Sequence, residues 1–248
     1  MFKVSIIIPT YKRPYFLNRA LKSIFKQNPQ VIQVIVIDDC EHSSAQEVAS
    51  NFTVNYYSKR GIKRGVSESR NIGIQLAVGQ FILFLDDDDF LIDGAVDIIE
   101  EKALINSDFI FFNFVTLIEE KITLHDLTYL TTNHLLVSNH IPIGSYLISR
   151  RAIKSYFDSR MESHEDWLFL LENILDLQLI HIPIPVVLIS RDYLREDSRH
   201  MSSQAGWALD FLAIYARFPA IELRQLRHLQ LKSLNVDLPE EFFGKIEN

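Results

Sequence analysis

The first half of this 248-residue chain alternates short apolar segments with segments of helical period. Val4 to Ile8 is a β-branched run that ends at Pro9, and Pro14 opens a segment whose apolar residues recur every three or four positions. The same alternation continues to about residue 115. Continuously apolar strands separated by helices predict βαβ units and a mostly parallel, Rossmann-like α/β sheet covered by helices.

The second half is less regular, and we divide the chain accordingly. We expect one domain over residues 1–205, with a more regular half at 1–115 and a less regular half at 116–205, followed by a helical tail at 206–248. The strands are predicted at 4–8, 31–37, 52–57, 81–85, 108–115, 146–149 and 186–190. One helix is predicted to begin at Pro14, and a second, short helix is predicted to end at about Ala49. Further helices are predicted at 66–78, 93–104 and 164–175.

Acidic residues follow two of the predicted strands. Asp38 and Asp39 end the second strand, and four consecutive aspartates, Asp86 to Asp89, end the fourth. Ligands of open α/β sheets bind at the carboxyl ends of the strands. Adjacent carboxylates repel one another, and a hard divalent cation such as Mg²⁺ or Mn²⁺ removes that cost. The alternative is a solvated loop whose charges cap the next helix.

The overall composition excludes several classes of protein. The net charge is −7 and no basic stripe stands out, so nucleic acid is not expected as the main partner. Cys40 is the only cysteine, which rules out an internal disulfide and fits a reducing compartment. The apolar run from Phe109 to Ile118 is too short to span a bilayer, and the first residues do not fit a signal peptide. We therefore expect a soluble, cytoplasmic protein.

Four stretches in the first half resemble the family 2 glycosyltransferases. Residues 5–11 resemble V-S-I-I-I-P-x-Y-N, and residues 36–40 resemble V-V-D-D-G-S. Residues 68–82 resemble A-R-N-x-G-x followed by A-x-G-x-Y-I, and residues 83–89 look like F-L-D-x-D-D, which contains the D-x-D motif. Each stretch alone is a weak signal, but their order and spacing hold over residues 3–93. The sequence departs from the pattern at Cys40 and at Lys12 and Arg13, and we expect neither departure to alter the chemistry.

The resemblance implies a GT-A fold, with a nucleotide-sugar-binding half at 1–115 and an acceptor-binding half at 116–205. It also implies an inverting sugar transfer from a nucleotide-diphospho-sugar. It implies that Asp39 hydrogen-bonds uracil, which favours a UDP-sugar, and that Asp88 ligates Mn²⁺ or Mg²⁺. Asp86 would hold the ribose or a metal-bound water. The full set of residues expected at the nucleotide-sugar is Pro9, Thr10, Tyr11, Arg13, Asp39, Arg70, Asp86, Asp87, Arg195 and Arg199. From the residues alone, Asp39 remains open as a turn residue and Arg70 as a helix-surface arginine.

A second acidic pair opens a predicted helix in the second half. Glu165 and Asp166 begin this amphipathic segment, where acidic residues are already favoured by the helix dipole. In the family an E-D pair opens this helix and its aspartate is the base. The resemblance therefore implies that Asp166 deprotonates the acceptor hydroxyl and that Glu165 supports the acceptor.

A charged segment after the last predicted strand provides candidate phosphate ligands. Relatives carry a loop here that folds over the diphosphate, and the match implies roles for Arg195 and Arg199 at the phosphates and for His200 at the metal. The alternative is a solvated charged loop. The basic loop from Lys59 to Arg64 is a second candidate of the same kind.

The helical tail carries basic residues beside leucines, which leaves two interpretations. We expect the tail to pack on the domain or on a partner subunit; the alternative is peripheral contact with the inner face of a membrane. For the whole chain we predict a glycosyltransferase acting on a glycan or lipid-linked glycan, as in bacterial surface polysaccharide synthesis. A nucleotidyltransferase is disfavoured because no glycine lies between Pro9 and Pro14. A non-catalytic binding module is disfavoured because Asp88 and Asp166 are both present.

Overall fold

The computed structural model describes residues 2–42, 45–59, 65–161, 163–190 and 204–236. The strands in these residues are β1 (Val4–Thr10), β2 (Ile32–Asp38), β3 (Asn55–Ser58), β4 (Phe81–Phe84), β5 (Phe90–Leu91), β6 (Phe109–Ile118), β7 (Lys121–His125), β8 (Tyr146–Ser149) and β9 (Leu179–Ser190). The helices are α1 (Pro14–Phe25), α2 (Gln46–Ala49), α3 (Val66–Leu76), α4 (Ala95–Lys102), α5 (Thr132–Leu135), α6 (Glu165–Ile174), α7 (Gln204–Arg217) and α8 (Arg224–Ser233).

The described strands form one sheet in the order β3-β2-β1-β4-β8-β6-β9-β5, with β7 paired to β6. The first four strands of this order are parallel to one another, as the alternation of strands and helices predicts. In β1 and β2 every residue is buried, which fits a sheet that is covered on both faces. The α/β class and the parallel first half are therefore confirmed.

The second half of the sheet is mixed, so the prediction of a mostly parallel sheet holds only for the first half. β8 runs antiparallel to both β4 and β6, whereas β9 is parallel to β6. The β6–β7 hairpin was not predicted. Its two-residue turn is Glu119 and Glu120, both with positive φ, and this sequence lacks the Asn-Gly or Asp-Gly signal of such turns.

Strand β9 begins seven residues before its predicted start at Val186. Pro183 and Pro185 argue against a strand because proline cannot donate to the ladder. The structure accommodates them at an irregularity, where pairing with β6 shifts register between Phe112 and Asn113.

Two glycines of the family-like stretches allow close packing against β1. A Cβ at Gly73 in α3 would overlap the Ile7 side chain, so α3 can approach the sheet only with glycine there. A Cβ at Gly79 would lie 2.6 Å from the backbone nitrogen of Ser5. These close approaches give a physical reason for the A-R-N-x-G and A-x-G elements.

Helices α7 and α8 pack on the domain, as expected for the tail. The rings of Phe211 in α7 and Trp167 in α6 lie 4.9 Å apart, and Arg227 of α8 is only 4 % exposed. A buried Arg227 is not available to a membrane surface. No helix in the part of the chain that the structure describes is both long and apolar enough to cross a bilayer.

Candidate active site

The two acidic clusters meet at the carboxyl edge of the parallel strands. Thr10 at the end of β1 pairs in register with Asp38 at the end of β2, and the backbone N–H of Asp39 donates to Thr10 O at 2.9 Å. On the other side of β1, Leu85 N donates to Ile7 O at 3.0 Å and leads into Asp86. The expected convergence of the clusters at one edge is confirmed.

The four aspartates after β4 alternate between buried and accessible positions. Asp87 and Asp89 are 1 % and 7 % exposed, whereas the side chains of Asp86 and Asp88 are each 32 % exposed. Asp89 accepts a hydrogen bond from the backbone N–H of Ser190 at 3.1 Å and so joins this loop to β9. The accessible carboxylates, Asp86 and Asp88, are therefore the two aspartates of the D-x-D motif.

The carboxylate of Asp87 is bound to two side chains inside the protein. Its Oδ2 accepts a hydrogen bond from Thr10 Oγ1 at 2.6 Å, and its Oδ1 lies 2.5 Å from the Arg13 guanidinium. Burial raises the pKa of Asp87 to about 7, against the opposing effect of Arg13. A direct contact of Asp87 with the nucleotide does not fit this placement, because both oxygens are taken inside the protein. Thr10 is likewise buried, as is Pro9, while Tyr11 is partly exposed.

Of the two departures that we expect to leave the chemistry untouched, Arg13 lies within the acidic cluster. Its guanidinium spans the acidic cluster, with one nitrogen on Asp87 and another 2.9 Å from Asp88 Oδ2. Lys12 adopts φ of 55°, in the left-handed region where asparagine is enriched. The asparagine of the family pattern at this position is thus explained by the turn that follows β1.

Asp38 and Asp39 have different surroundings. The Asp38 carboxylate is fully buried and accepts hydrogen bonds from Cys40 N, Ala45 N and Tyr56 Oη at 2.8–3.0 Å, so it shapes the turn. Asp39 accepts a hydrogen bond from Gly65 N at 2.8 Å and forms an ion pair with Lys59 at 3.0 Å. Lys59 is 2 % exposed, so it holds Asp39 and is not a free phosphate ligand.

Arg70 is an interior residue, which excludes the helix-surface interpretation. It is 4 % exposed, and its two terminal nitrogens donate to Glu165 Oε1 and Asp86 Oδ1, each at 2.8 Å. Burial opposes its charge, but Asp86 and Glu165 outweigh that effect and raise the pKa of Arg70. The guanidinium also lies over the Phe157 ring, 5.3 Å from its centroid.

Glu165 and Asp166 begin α6 and face this arginine. Partial burial and the neighbouring Glu165 raise the pKa of Asp166 to about 6, while Arg70 lowers it. One Asp166 oxygen accepts a hydrogen bond from Trp167 N at 2.7 Å, and the other accepts one from Asn139 Nδ2 at 3.0 Å. A carboxylate with a pKa near neutrality suits proton transfer.

Contacts between the two halves of the chain bring together residues at the site that the sequence analysis did not single out. Asn71 exchanges two hydrogen bonds of 2.9 Å with the backbone of Phe157, which fixes the position of that ring beneath Arg70. The A-R-N match contained the signal for Asn71. Tyr146 is 1 % exposed, and its hydroxyl has no hydrogen-bond partner among the described residues. No motif points to Tyr146 or Asn139.

Three predicted residues, Arg195, Arg199 and His200, lie outside the residues that the structure describes, as do residues 60–64 of the basic loop. Their roles stay predictions.

The donor atoms at the cluster fit a hard divalent cation. Asp88 offers carboxylate oxygens, and its pKa is raised by burial and by the negative charge of Asp86, a cost that a cation would relieve. In the described ranges no three His, Cys, Asp or Glu side chains are grouped closely enough to hold an ion. A bound cation would thus need phosphate and water oxygens as further ligands, which is the usual coordination of Mg²⁺.

The architecture is that of the GT-A class: a parallel sheet joined to a mixed half, with two clusters of aspartates at the strand ends. Over 98 % of the chain it superposes on the crystal structure of S. aureus TarS 1-349 in complex with UDP-GlcNAc, with a TM-score of 0.67 at 20 % identity, covering 69 % of that chain. Residues 5–157 match the family Glycosyl transferase family 2. The chain belongs to this family.

Similar proteins come from several bacteria. A GalNAc(5)-diNAcBac-PP-undecaprenol beta-1,3-glucosyltransferase of Campylobacter jejuni is 35 % identical over 108 residues, which cover 42 % of this chain and 35 % of that protein. An uncharacterized glycosyltransferase of Haemophilus influenzae is 30 % identical over 68 % of this chain and 70 % of its own length. The poly(ribitol-phosphate) beta-N-acetylglucosaminyltransferase TarS of Staphylococcus aureus is 27 % identical over 97 % of this chain, which spans 42 % of TarS.

Proposed function

We propose that this protein is an inverting, metal-dependent glycosyltransferase that transfers a sugar from a UDP-sugar to a hydroxyl of a glycan or lipid-linked glycan. The observation that carries the proposal is the arrangement of Asp86, Arg70 and Glu165. The buried Arg70 guanidinium joins Asp86, one of the two accessible D-x-D carboxylates, to Glu165, which precedes the candidate base in α6. Donor-side and acceptor-side groups are thereby held in one site.

Each group has one role in this proposal. Asp39 binds the uracil, and Asp88 holds Mn²⁺ or Mg²⁺, which would neutralise charge on the diphosphate. Asp166 takes the proton of the acceptor hydroxyl while that oxygen bonds to the anomeric carbon and the bond to the diphosphate oxygen breaks. The nucleoside diphosphate leaves, and the anomeric configuration inverts because the displacement occurs in one step.

The similar proteins support the substrate classes. TarS, of which a complex with UDP-GlcNAc is described, is named as an enzyme of poly(ribitol-phosphate), and the Campylobacter protein is named as one acting on an undecaprenol-linked glycan. We extend these classes to the present chain, with a role in bacterial surface polysaccharide synthesis. Residues 1–115 are proposed as the donor half, residues 116–205 as the acceptor half and residues 206–248 as a helical tail.

The test is a transfer assay with a panel of UDP-sugars, Mn²⁺ and lipid-linked or soluble glycan acceptors. UDP release should require a sugar donor and a divalent cation, and NMR of the product should show an inverted anomeric centre. Asp166→Asn should lower the transfer rate by about 10²- to 10⁴-fold and leave UDP binding unchanged. Retention of the anomeric configuration, or full activity of this variant, would refute the assigned mechanism.

A further inference from the structure

The Asp166 carboxylate receives a side-chain hydrogen bond from outside its own helix. Asn139 Nδ2 lies 3.0 Å from Asp166 Oδ2. The Asn139 carbonyl oxygen in turn accepts the backbone N–H of Ile141 at 3.3 Å. An amide whose oxygen is engaged by an N–H must present its NH₂ group elsewhere, so this contact orients the donor toward the carboxylate.

Asn139 lies near the end of a segment, residues 131–140, that is held by side chains from three helices. Three successive backbone carbonyls, those of residues 135–137, each accept a side-chain hydrogen bond. Trp167 Nε1 of α6 donates to the first at 2.7 Å, and Tyr215 Oη of α7 donates to the third at 2.7 Å. Arg227 of α8 donates two hydrogen bonds to the middle carbonyl, at 2.8 and 2.9 Å.

Helix α7 also contacts the residues that immediately precede α6. Asp210 of α7 accepts hydrogen bonds from the backbone N–H and the hydroxyl of Ser163, at 2.7 and 2.8 Å, just before α6 begins. The Arg227 guanidinium lies 4.3 Å from the Tyr215 ring centroid and also donates to Phe218 O at 2.8 Å. The start of α6 and the 131–140 segment therefore both contact α7, and Arg227 of α8 is bonded to the segment as well.

We propose that Asn139 is a positioning residue for Asp166, and that α7 and α8 hold Asn139 in place through Tyr215 and Arg227. The inference rests on the proposed role of Asp166 as the base. A fixed donor on Oδ2 restricts rotation of the carboxylate and leaves its remaining lone pairs directed at the acceptor hydroxyl. It also favours the ionised form, which is the form that accepts a proton.

The 131–140 segment carries two titratable side chains, His134 and His140, and burial lowers the pKa of His140. The charged groups that act on Asp166 lie on other elements. They are Glu165 beside it on α6, Arg70 on α3, Asp86 after β4 and, less directly, Tyr146 on β8. A substitution at Asn139 therefore removes a neutral donor and leaves these charges in place. Its effect on the pH dependence of transfer reports the hydrogen bond itself.

The experiment compares Asn139→Ala with Asn133→Ala, an exposed position in the same segment. Asn139→Ala should lower kcat about tenfold and move the acid limb of the kcat–pH profile upward by about one unit, because an ionised acceptor loses a donor. UDP affinity should stay the same.

Asn139→Ser keeps a donor and should recover part of the loss. Tyr215→Phe keeps the ring but loses the bond to residue 137, and it should shift the profile in the same direction by less. Asn133→Ala should match the wild type.

Three results would overturn the inference. An unchanged kcat and acid limb in Asn139→Ala, while Asp166→Asn is inactive, would separate Asn139 from the base and leave the proposed function intact. Weakened UDP binding in Asn139→Ala would place its effect at the donor. Full activity of Asp166→Asn would remove the base itself, and the proposed mechanism would fail together with this inference.

Discussion

Arg70 and Glu165 form an ion pair of 2.8 Å between residues that are 95 positions apart in the chain. The pair joins α3, beneath the parallel sheet, to the first residue of α6. The second terminal nitrogen of the same guanidinium holds Asp86. Because Arg70 is buried, this bridge holds Asp86 of the D-x-D pair next to the start of α6, and its loss should affect both halves of the site.

Replacing Arg70 should therefore reduce both stability and transfer. Arg70→Ala leaves two partly buried carboxylates without their cation, and we expect a loss of about 3 kcal/mol in the free energy of unfolding. Denaturant titration measures this loss. Arg160→Ala is the matched control, since Arg160 also pairs with an aspartate but its side chain is 85 % exposed; it should leave the free energy of unfolding nearly unchanged. Equal effects of the two substitutions would contradict the role of Arg70 as a bridge.

Adjacent aspartates should respond differently to the same substitution. Asp87→Ala leaves the Thr10 hydroxyl and one side of Arg13 unpaired in the interior, which should cost about 3 kcal/mol of stability. Asp88→Ala should change stability by less than about 1 kcal/mol, because its side chain is 32 % exposed. It should instead weaken Mn²⁺-dependent UDP binding at least about tenfold. Thermal unfolding and calorimetry of both variants measure the contrast, and a stability loss confined to Asp88→Ala would reverse the assignment.

The left-handed turn at Lys12 predicts that asparagine is better tolerated than alanine at this position. With φ of 55° at this position, Lys12→Asn should be more stable than Lys12→Ala by about 0.5–1 kcal/mol, since asparagine tolerates this conformation better. Both variants lose the Lys12 ammonium over the Tyr11 ring, so their difference isolates the backbone effect. Chemical denaturation of the pair is sufficient. A more stable alanine variant would argue against the left-handed turn.

The raised pKa of Asp166 makes a prediction about stability and pH. Its value of about 6 in the folded protein exceeds the ordinary 3.8, so the folded state binds this proton more tightly than the unfolded state. Stability from this group is present below about pH 4 and is lost as pH rises through about 6. Asp166→Asn, which cannot ionise, should therefore be more stable than wild type by about 1–2 kcal/mol at pH 8 and equal to it near pH 4. Denaturation at both values measures this, and a uniform difference would contradict the shift.

Much of the first half could be predicted from sequence because its information is local. Strands β1, β2 and β4 are apolar runs, and their acidic ends fall at the sheet edge by the geometry of parallel strands. The alternation within Asp86–Asp89 could not be predicted. It depends on which carboxylates meet Thr10, Arg13 and Ser190, and these contacts arise only after the strands assemble.

The mixed half of the sheet and the contacts around it resisted prediction for particular physical reasons. The two-residue strand β5 is too short for any periodicity, and the Glu119–Glu120 turn takes positive φ without glycine. The hydrogen bond from Asn139 to Asp166 crosses 27 positions and belongs to no motif. Such contacts follow from the packing of the C-terminal helices on α6, which a linear pattern does not encode.

The central claim, a metal-dependent site for a UDP-sugar, is tested most directly by calorimetric titration of UDP into the purified protein, first with Mn²⁺ and then with EDTA. The account predicts saturable binding with Mn²⁺ that is lost or greatly weakened with EDTA, and weaker binding of GDP under the same conditions. Tight UDP binding that is indifferent to EDTA would contradict the role of Asp88. Absence of UDP binding in both conditions, with binding of another nucleotide, would contradict the role of Asp39.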